Sequence, residues 1–396
     1  MNSKNLTKTV AVIFGGRSTE HDVSIITALV SVIKPLELAG GYRVVPIYIS
    51  REGRWYSDDK LKDIKLYSSD AIVDFIAKGK PVELLFDEGL KIAKAGTMSR
   101  KHIAIDVVFP ALHGTYGEDG ALMGLLEMSG TAYVGCDMTS SALAMDKMLA
   151  KVVAQASGIP VTKFASFSRA ESHKNLPTIA KTCIASLKFP LFVKPAHLGS
   201  SIGITRVTDQ QELVNAIEVA AHYDEKILVE EAVSNLIEVT LPIMGNAEPQ
   251  PALLESPLTH AEDFFDFDTK YLHGGKKGGK AGGAKTGTKG AHGYSQLPAE
   301  IAPELYKKAE ALGLSVYKAL GCSGTARVDM LIDSKTGDIY FNEVNPLPGS
   351  LYAHNWRAAG VSGVDLVNKL IALAEERHAQ SRTLETTFST NYLKQF

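Results

Sequence analysis

Three short runs near the start of the chain limit its possible folds more than anything else in it. They are "TVAVIFGG" (Thr9–Gly16), "YRVVPIYIS" (Tyr42–Ser50) and "IDVVFPAL" (Ile105–Leu112). Each is apolar almost without interruption, whereas a strand with one wet face alternates polar and apolar residues. Such runs suit strands buried on both faces. Between the first two lies "EHDVSIITALVSVIKPLELAG" (Glu20–Gly40), with the apolar spacing of a helix. Strand, helix, strand in this form predicts a parallel α/β sheet covered by helices, and we place this first domain at residues 1–136.

The remainder reads differently. "SSALAMDKMLAKVVAQASG" (Ser140–Gly158) is expected to be one helix, stopped by Gly158 before Pro160. "FPLFVKPAHLGSSIGITRV" reads as two strands joined by a loop of small residues, followed by an amphipathic helix at Asp209–Tyr223 and a strand "KILVEE". This piece, residues 137–228, is small and α+β. The last, residues 229–396, holds the helix "PELYKKAEALGLSVYKALG", the strands "TARVDMLID" and "DIYFNEVN", a proline-glycine turn and a closing helix around "GVDLVNKLIALAEERH". An α/β plus α+β, three-domain chain results, which suits 396 residues.

A net charge of −2 offers no general attraction to nucleic acid or to an anionic membrane. Three scattered cysteines give neither a disulfide framework nor a metal spacing. No stretch approaches the roughly 18 unbroken apolar residues of a membrane span, and the N-terminus lacks a signal-peptide core. A soluble, cytoplasmic protein without membrane or nucleic-acid partners is expected.

Chemistry concentrates near the end of the chain. Arg327 and Asp329 share one face of a strand, and Glu343 and Asn345 share one face of the next, joined to it by the short "SKTGD" turn. Hard oxygen ligands without cysteine or histidine suit Mg2+, although a solvated hairpin of alternating charge has the same pattern. Lys194 ends a hydrophobic strand beside "GSSIG", a loop able to turn N–H groups toward an anion but equally an ordinary turn. Lys147 is a helix lysine, and Glu230, Glu231 and Glu238 are acids at or after a strand end. Such acids bind adenine or ribose, or simply face water. Glu20 opens a helix after a glycine turn and suits either a cap or a substrate ammonium. His113 follows an apolar strand, at the carboxyl end of the sheet, where such folds bind ligands.

Together and in order, "VAVIFGGRSTEHDVS", "HGTYGEDGALMGLLEMSGTAYVG", "SALAMDK", "FVKPAHLGSSIG", "DFFDFDTKY", "ARVDM" and "NEVNPLPG" closely resemble the signatures of D-alanine–D-alanine ligases, members of the ATP-grasp superfamily. The resemblance runs from Val10 to the helix near Leu366. It implies a three-domain ATP-grasp fold, ATP and two Mg2+ ions as cofactors (Mn2+ a possible substitute), and a homodimer. The implied chemistry phosphorylates the carboxylate of one D-alanine, after which the amine of a second attacks the acyl phosphate to give a dipeptide for peptidoglycan. The implied site gives Lys147 and Lys194 to the phosphates, Glu230, Glu231 and Glu238 to adenine and ribose, and Asp329, Glu343 and Asn345 to the metal. Glu20 takes the first ammonium with His113 nearby, Ser200 and Tyr271 extend a hydrogen-bonded link to Glu20, and Lys270 reaches phosphate. Arg327 and the Gly349 N–H hold the tetrahedral oxyanion.

The chain departs from the pattern after Asn345. It reads "NPLPGSLYAHNW", so His354 stands where the family has a serine for the second carboxylate, and Ser350 is also changed. Ser350 and His354 are therefore the second-substrate candidates, with D-serine, D-lactate or another acid as alternatives to D-alanine; Tyr271 weighs against D-lactate. The segment Lys270–Tyr294 carries nine glycines, five lysines beyond Lys270 and no acid. A basic arm for nucleic acid is the competing reading, and an enlarged active-site lid spanning 262–297 is the expectation that fits its flanks.

Overall fold

A computed structural model describes residues 7–94, 102–199, 201–257 and 295–396. The first sheet runs in the order Trp55–Tyr56, Tyr42–Ile49, Lys8–Gly15, Val107–Pro110, Ala132–Tyr133. Its pairs are parallel except at the Trp55–Tyr56 edge. Both faces are covered, as the apolar runs require. Val10, Val12 and Phe14 pack on one side against the helical run His21–Ala39, and Ala11 and Ile13 on the other against Ala121–Ser129. The middle of that helical run, Thr27–Ile33, is π-wound. The closing helix Gly363–Ser381 shares the first of these two cores through Leu366, Val367, Leu370 and Ile371.

Two four-stranded antiparallel sheets follow. One has the order Thr205–Val207, Leu191–Pro195, Lys226–Glu231, Phe164–Ser168. The other has the order Gln250–Pro251, Leu236–Met244, Thr325–Asp333, Ile339–Asn345. Helix Pro303–Ala319 covers the buried face of the second.

One expectation fails. Ser140–Gly158 is not a single helix but two, Met138–Met145 and Lys147–Ala156, broken at Asp146. Asp146 leaves helical geometry and caps the second helix, its Oδ1 accepting from the N–H groups of Met148 and Leu149 at 3.0 Å each. Its other oxygen takes Lys226 from the neighbouring sheet and His197 from the loop after Leu191–Pro195. Tertiary partners and the cap together outweigh continuous helix propensity here. The break sets Lys147 at the first position of a new helix. No helix among the described residues is long and apolar enough to cross a membrane.

Candidate active site

The expected hairpin forms, and its register sets Arg327 opposite Asn345 and Asp329 opposite Glu343. Phe341 and Val344 both reach the core, although residues three apart on a regular strand face opposite sides. A bulge between Asp329 and Met330 on the pairing resolves this, because Met330 opposes Phe341 and Asn342 is the extra residue. The face turned away from the core therefore gathers Arg327, Asp329, Asn342, Glu343 and Asn345, all partly buried. Arg327 grips Asp329 with two bonds, Nε to Oδ1 at 2.7 Å and Nη2 to Oδ2 at 2.5 Å, and its guanidinium lies 5.0 Å from the Tyr352 ring centre. Burial works against the Arg327 charge, but Asp329 more than offsets it and the pKa stays well above the ordinary value. The Asn345 amide completes the cluster, 3.1 Å from Asp329 Oδ2.

Two lysines approach this face from the other side. Lys147 Nζ lies 3.2 Å from Glu343 and donates to the Leu198 carbonyl at 2.7 Å, so it ties the loop after Leu191–Pro195 to the hairpin. Lys194 Nζ pairs with Glu230 and reaches Asn342 Oδ1 at 3.4 Å. Glu230 is buried at this junction. Two lysines and several hydrogen bonds overcome the burial that would otherwise raise its pKa, and it is held well below the carboxylate range. Glu231, next along the strand, turns away and accepts from the Lys188 N–H at 2.9 Å. Glu238 lies on Leu236–Met244, opposite Leu331.

A second cluster forms at the carboxyl ends of the parallel strands. Glu20 sits at the start of helix His21–Ile26, but its carboxylate makes no capping bond. That carboxylate lies against two glycines instead. A Cβ on Gly114 would meet Oε2 at 2.8 Å, and one on Gly199 would meet it at 3.3 Å. His113 is buried beside it, with Nε2 2.8 Å from Thr27 Oγ1 and Nδ1 3.8 Å from Glu118. Burial opposes charge on His113, yet Glu118, Glu20 and the Leu347 carbonyl raise its pKa above the usual histidine value. Thr27 Oγ1 also accepts from the Ser350 N–H at 2.9 Å. The π-wound turn thus joins the first sheet's site to the turn after the hairpin.

That turn is unusual. Ser350, Leu351 and Tyr352 all have left-handed φ, at 50°, 54° and 50°. Each such residue costs about 1 kcal/mol or more, and strain of that kind clusters at functional sites. The turn leads into helix Ala353–Ala358, where His354 Nε2 contacts both oxygens of Glu255 at 3.0 and 2.9 Å. Burial tends to raise the Glu255 pKa, and His354 with Asn355 and Ser295 holds it below the ordinary value.

Known proteins match this arrangement over most of its length. The model described as D-ala D-ala ligase N-terminus matches residues 9–136, and the one described as D-ala D-ala ligase C-terminus matches 153–372. The chain belongs to the D-alanine–D-alanine ligase family. Among its relatives, a D-alanine–D-alanine ligase of Chloroherpeton thalassium is 35% identical over 95% of this chain and 98% of its own. One of Chlorobium phaeovibrioides is 37% identical over 95% and 99%. Two solved structures each superpose with a TM-score of 0.75. One is the D-alanine-D-alanine ligase of Coxiella burnetii, 28% identical over 96% of this chain and 97% of that one. The other is the VanG D-Ala:D-Ser ligase of Enterococcus faecalis, 34% identical over 93% and 99%.

For this D-alanine–D-alanine ligase family member, Lys147, Lys194, Glu230, Arg327, Asp329, Glu343 and Asn345 form one continuous set, and Glu20, His113 and Ser350 form the set beside it. Ser200, Lys270, Tyr271 and all of the 262–297 loop before Ser295 lie outside the described residues. The donor chemistry fits a hard cation: two carboxylates paired across the strands, an amide, and no cysteine or histidine. No group of three His, Cys, Asp or Glu side chains suited to a metal occurs among the described residues, so an ion here would also need oxygens from substrate and water. Sequence reading missed Thr27, Lys151, Glu255, Asn342 and Tyr352. The first four meet their charged or site partners across long sequence separations, and nothing local marks them.

Proposed function

We propose that this chain is an ATP-dependent ligase that joins two D-alanines, forming ADP, phosphate and the dipeptide used for peptidoglycan in the cytoplasm. The observation that carries the proposal is the convergence of Lys147 and Lys194 with Asp329, Glu343 and Asn345, beside a buried Glu20 and His113. Neither a basic arm for nucleic acid nor a passive nucleotide binder calls for that set together with a first-substrate pocket.

Each residue then has a task set by its place. Lys147 and Lys194 meet the phosphates, Glu238 faces the nucleoside, Glu230 stays buried behind them as the carboxylate partner of Lys194 and Lys151, and Glu231, turned outward, accepts from the Lys188 N–H. Asp329, Glu343 and Asn345 would hold Mg2+, which supplies charge neutralisation to the transferring phosphoryl group. Glu20 accepts the ammonium of the first amino acid. His113, whose protonated form Glu118 and Glu20 favour, lies where it can meet that amino acid's carboxylate. Arg327, pinned by Asp329 and Tyr352, and the Gly349 N–H stabilise the oxyanion as the second amine attacks; fixed donors of this kind are worth about 3–4 kcal/mol.

Glu255 holds His354 toward the second subsite, in the place the family gives to serine. That substitution supports one second reading, a ligase joining D-alanine to a different second amino or hydroxy acid, such as D-serine or D-lactate. ADP release measured with D-alanine alone, then with D-alanine plus D-serine, D-lactate or glycine, separates the two. Release only with a mixed pair sinks the D-alanine reading. A His354→Ser variant is expected to alter KM for the second amino acid and leave KM for ATP unchanged. Two copies of the chain are proposed to associate, which sedimentation velocity tests.

A further inference from the structure

Helix Lys147–Ala156 carries a second lysine one turn beyond Lys147, and its side chain is buried. Lys151 is 1% exposed, and its ammonium is surrounded by oxygens from three parts of the fold. It lies 2.9 Å from Glu230 Oε2, 3.3 Å from Thr162 Oγ1 and 3.4 Å from the Phe341 carbonyl. Thr162 also donates to the same Glu230 oxygen at 2.9 Å. Phe341 lies beside the bulge, and its N–H donates to the Pro160 carbonyl at 2.8 Å. One cation thus joins the helix, the central sheet and the hairpin that bears the candidate metal ligands.

The local charge does not balance. Glu230, 1% exposed, faces two lysines, Lys151 on one oxygen and Lys194 on the other. An excess positive charge away from water is unfavourable unless it is matched. An incoming polyphosphate would match it. Of the two lysines, Lys194 is the more accessible at 10%, and besides Glu230 it reaches the Asn342 side-chain amide and lies 5.7 Å from the Phe192 ring centre. Lys151 is fixed by three oxygens. The lysine able to turn toward a phosphate is therefore Lys194, and its departure leaves Glu230 with Lys151.

We propose that Lys151 is a positioning residue for the nucleotide: it is the permanent counter-ion of Glu230 and so releases Lys194 to the ATP phosphates. Without Lys151, Lys194 could meet a phosphate only by abandoning a buried carboxylate, which is strongly unfavourable. Lys194 would then stay on Glu230. This inference rests on the ATP reading above.

The test is ATP affinity, measured by direct titration and as KM, in the full-length protein. Lys151→Met is expected to weaken ATP by about a hundredfold, with KM for D-alanine within about threefold of the parent and Lys151→Arg recovering most of the loss. In a Glu230→Gln background no buried carboxylate needs a counter-ion, so adding Lys151→Met is expected to cost less than about threefold more. Equal losses in both backgrounds would make Lys151 a plain structural residue and overturn the proposal, as would unchanged ATP affinity in Lys151→Met. Should that variant fail to fold, Lys151→Gln, which keeps a donor but no charge, carries the same comparison. Failure of the parent itself to bind ATP would sink the ligase reading instead, so the two failures are distinct.

Discussion

His197 offers a quantitative check on how the loop behind Lys147 is held. Its ring bridges Asp146, with Nε2 to Oδ2 at 3.2 Å, and Asp224, with Nδ1 to Oδ1 at 2.9 Å, while Lys226 shares Asp146. The hydrogen bond to Asp146 and then that to Asp224 raise its pKa to about 9, with burial opposing. The unfolded chain would titrate near 6.5. Because the folded pKa is the higher one, the stabilisation is complete below about pH 6.5 and disappears as pH rises through about 9. The shift of roughly 2.5 units corresponds to about 3 kcal/mol if undiminished. The side chain is 42% exposed, however, and solvent screening reduces a contribution of this kind to about 1 kcal/mol. The expected result is a thermal midpoint about 1 °C lower at pH 9.5 than at pH 6.5, with that extra slope missing in His197→Gln. Proton NMR of the His197 ring should give a midpoint near 9. A midpoint near 6.5, or the same pH slope in parent and variant, would refute the reasoning.

Two further outcomes follow from contacts across the fold. Gly114→Ala puts a methyl 2.5 Å from Ser18 Oγ and 2.8 Å from Glu20 Oε2, at a φ of +68°; it should raise KM for the first amino acid at least about tenfold while ATP binding persists, and normal kinetics would dissociate Glu20 from that role. Arg377→Met removes a side chain that donates to the Gly135 carbonyl, to Ser323 Oγ at 2.7 Å and to the Tyr133 carbonyl at 2.9 Å, and that lies 4.4 Å from the Tyr133 ring centre. It should cost about 2–3 kcal/mol, seen as a lowered denaturation midpoint with KM values unchanged.

The parallel sheet and the hairpin of Thr325–Asp333 with Ile339–Asn345 were readable because each announces itself locally. Val10–Phe14 is apolar at every position, and alternation in "RVDMLID" puts Arg327 and Asp329 on one face. Asn342 shows where alternation stops being a guide. A bulge adds one residue, so Asn342 and Glu343 face the site together although neighbours on a strand normally oppose. The break at Asp146 was hidden because "AMDKML" satisfies helical spacing, and the partners that favour the break, Lys226 and His197, come much later in the chain. Lys151 was hidden in the same way: four residues after Lys147 on a helix, a lysine looks solvated until Glu230 is placed against it. His354 was legible as a departure from a pattern, but Glu255, its partner 99 residues earlier, was not.

The packing of Gly363–Ser381 on the first sheet has a consequence for biosynthesis. Leu366, Val367, Leu370 and Ile371 share a core with Val10, Val12 and Phe14, and Tyr42 donates to Asn368 at 2.8 Å. A ribosome finishes the last strand of that sheet at Tyr133 and must add about 230 more residues before the helix begins. At roughly 5–20 residues per second, this takes between about 10 and 50 seconds. Throughout that interval the nascent sheet carries an apolar face whose cover, begun by the helical run His21–Ala39, is incomplete. The first unit to leave the ribosome is therefore among the last to be completed.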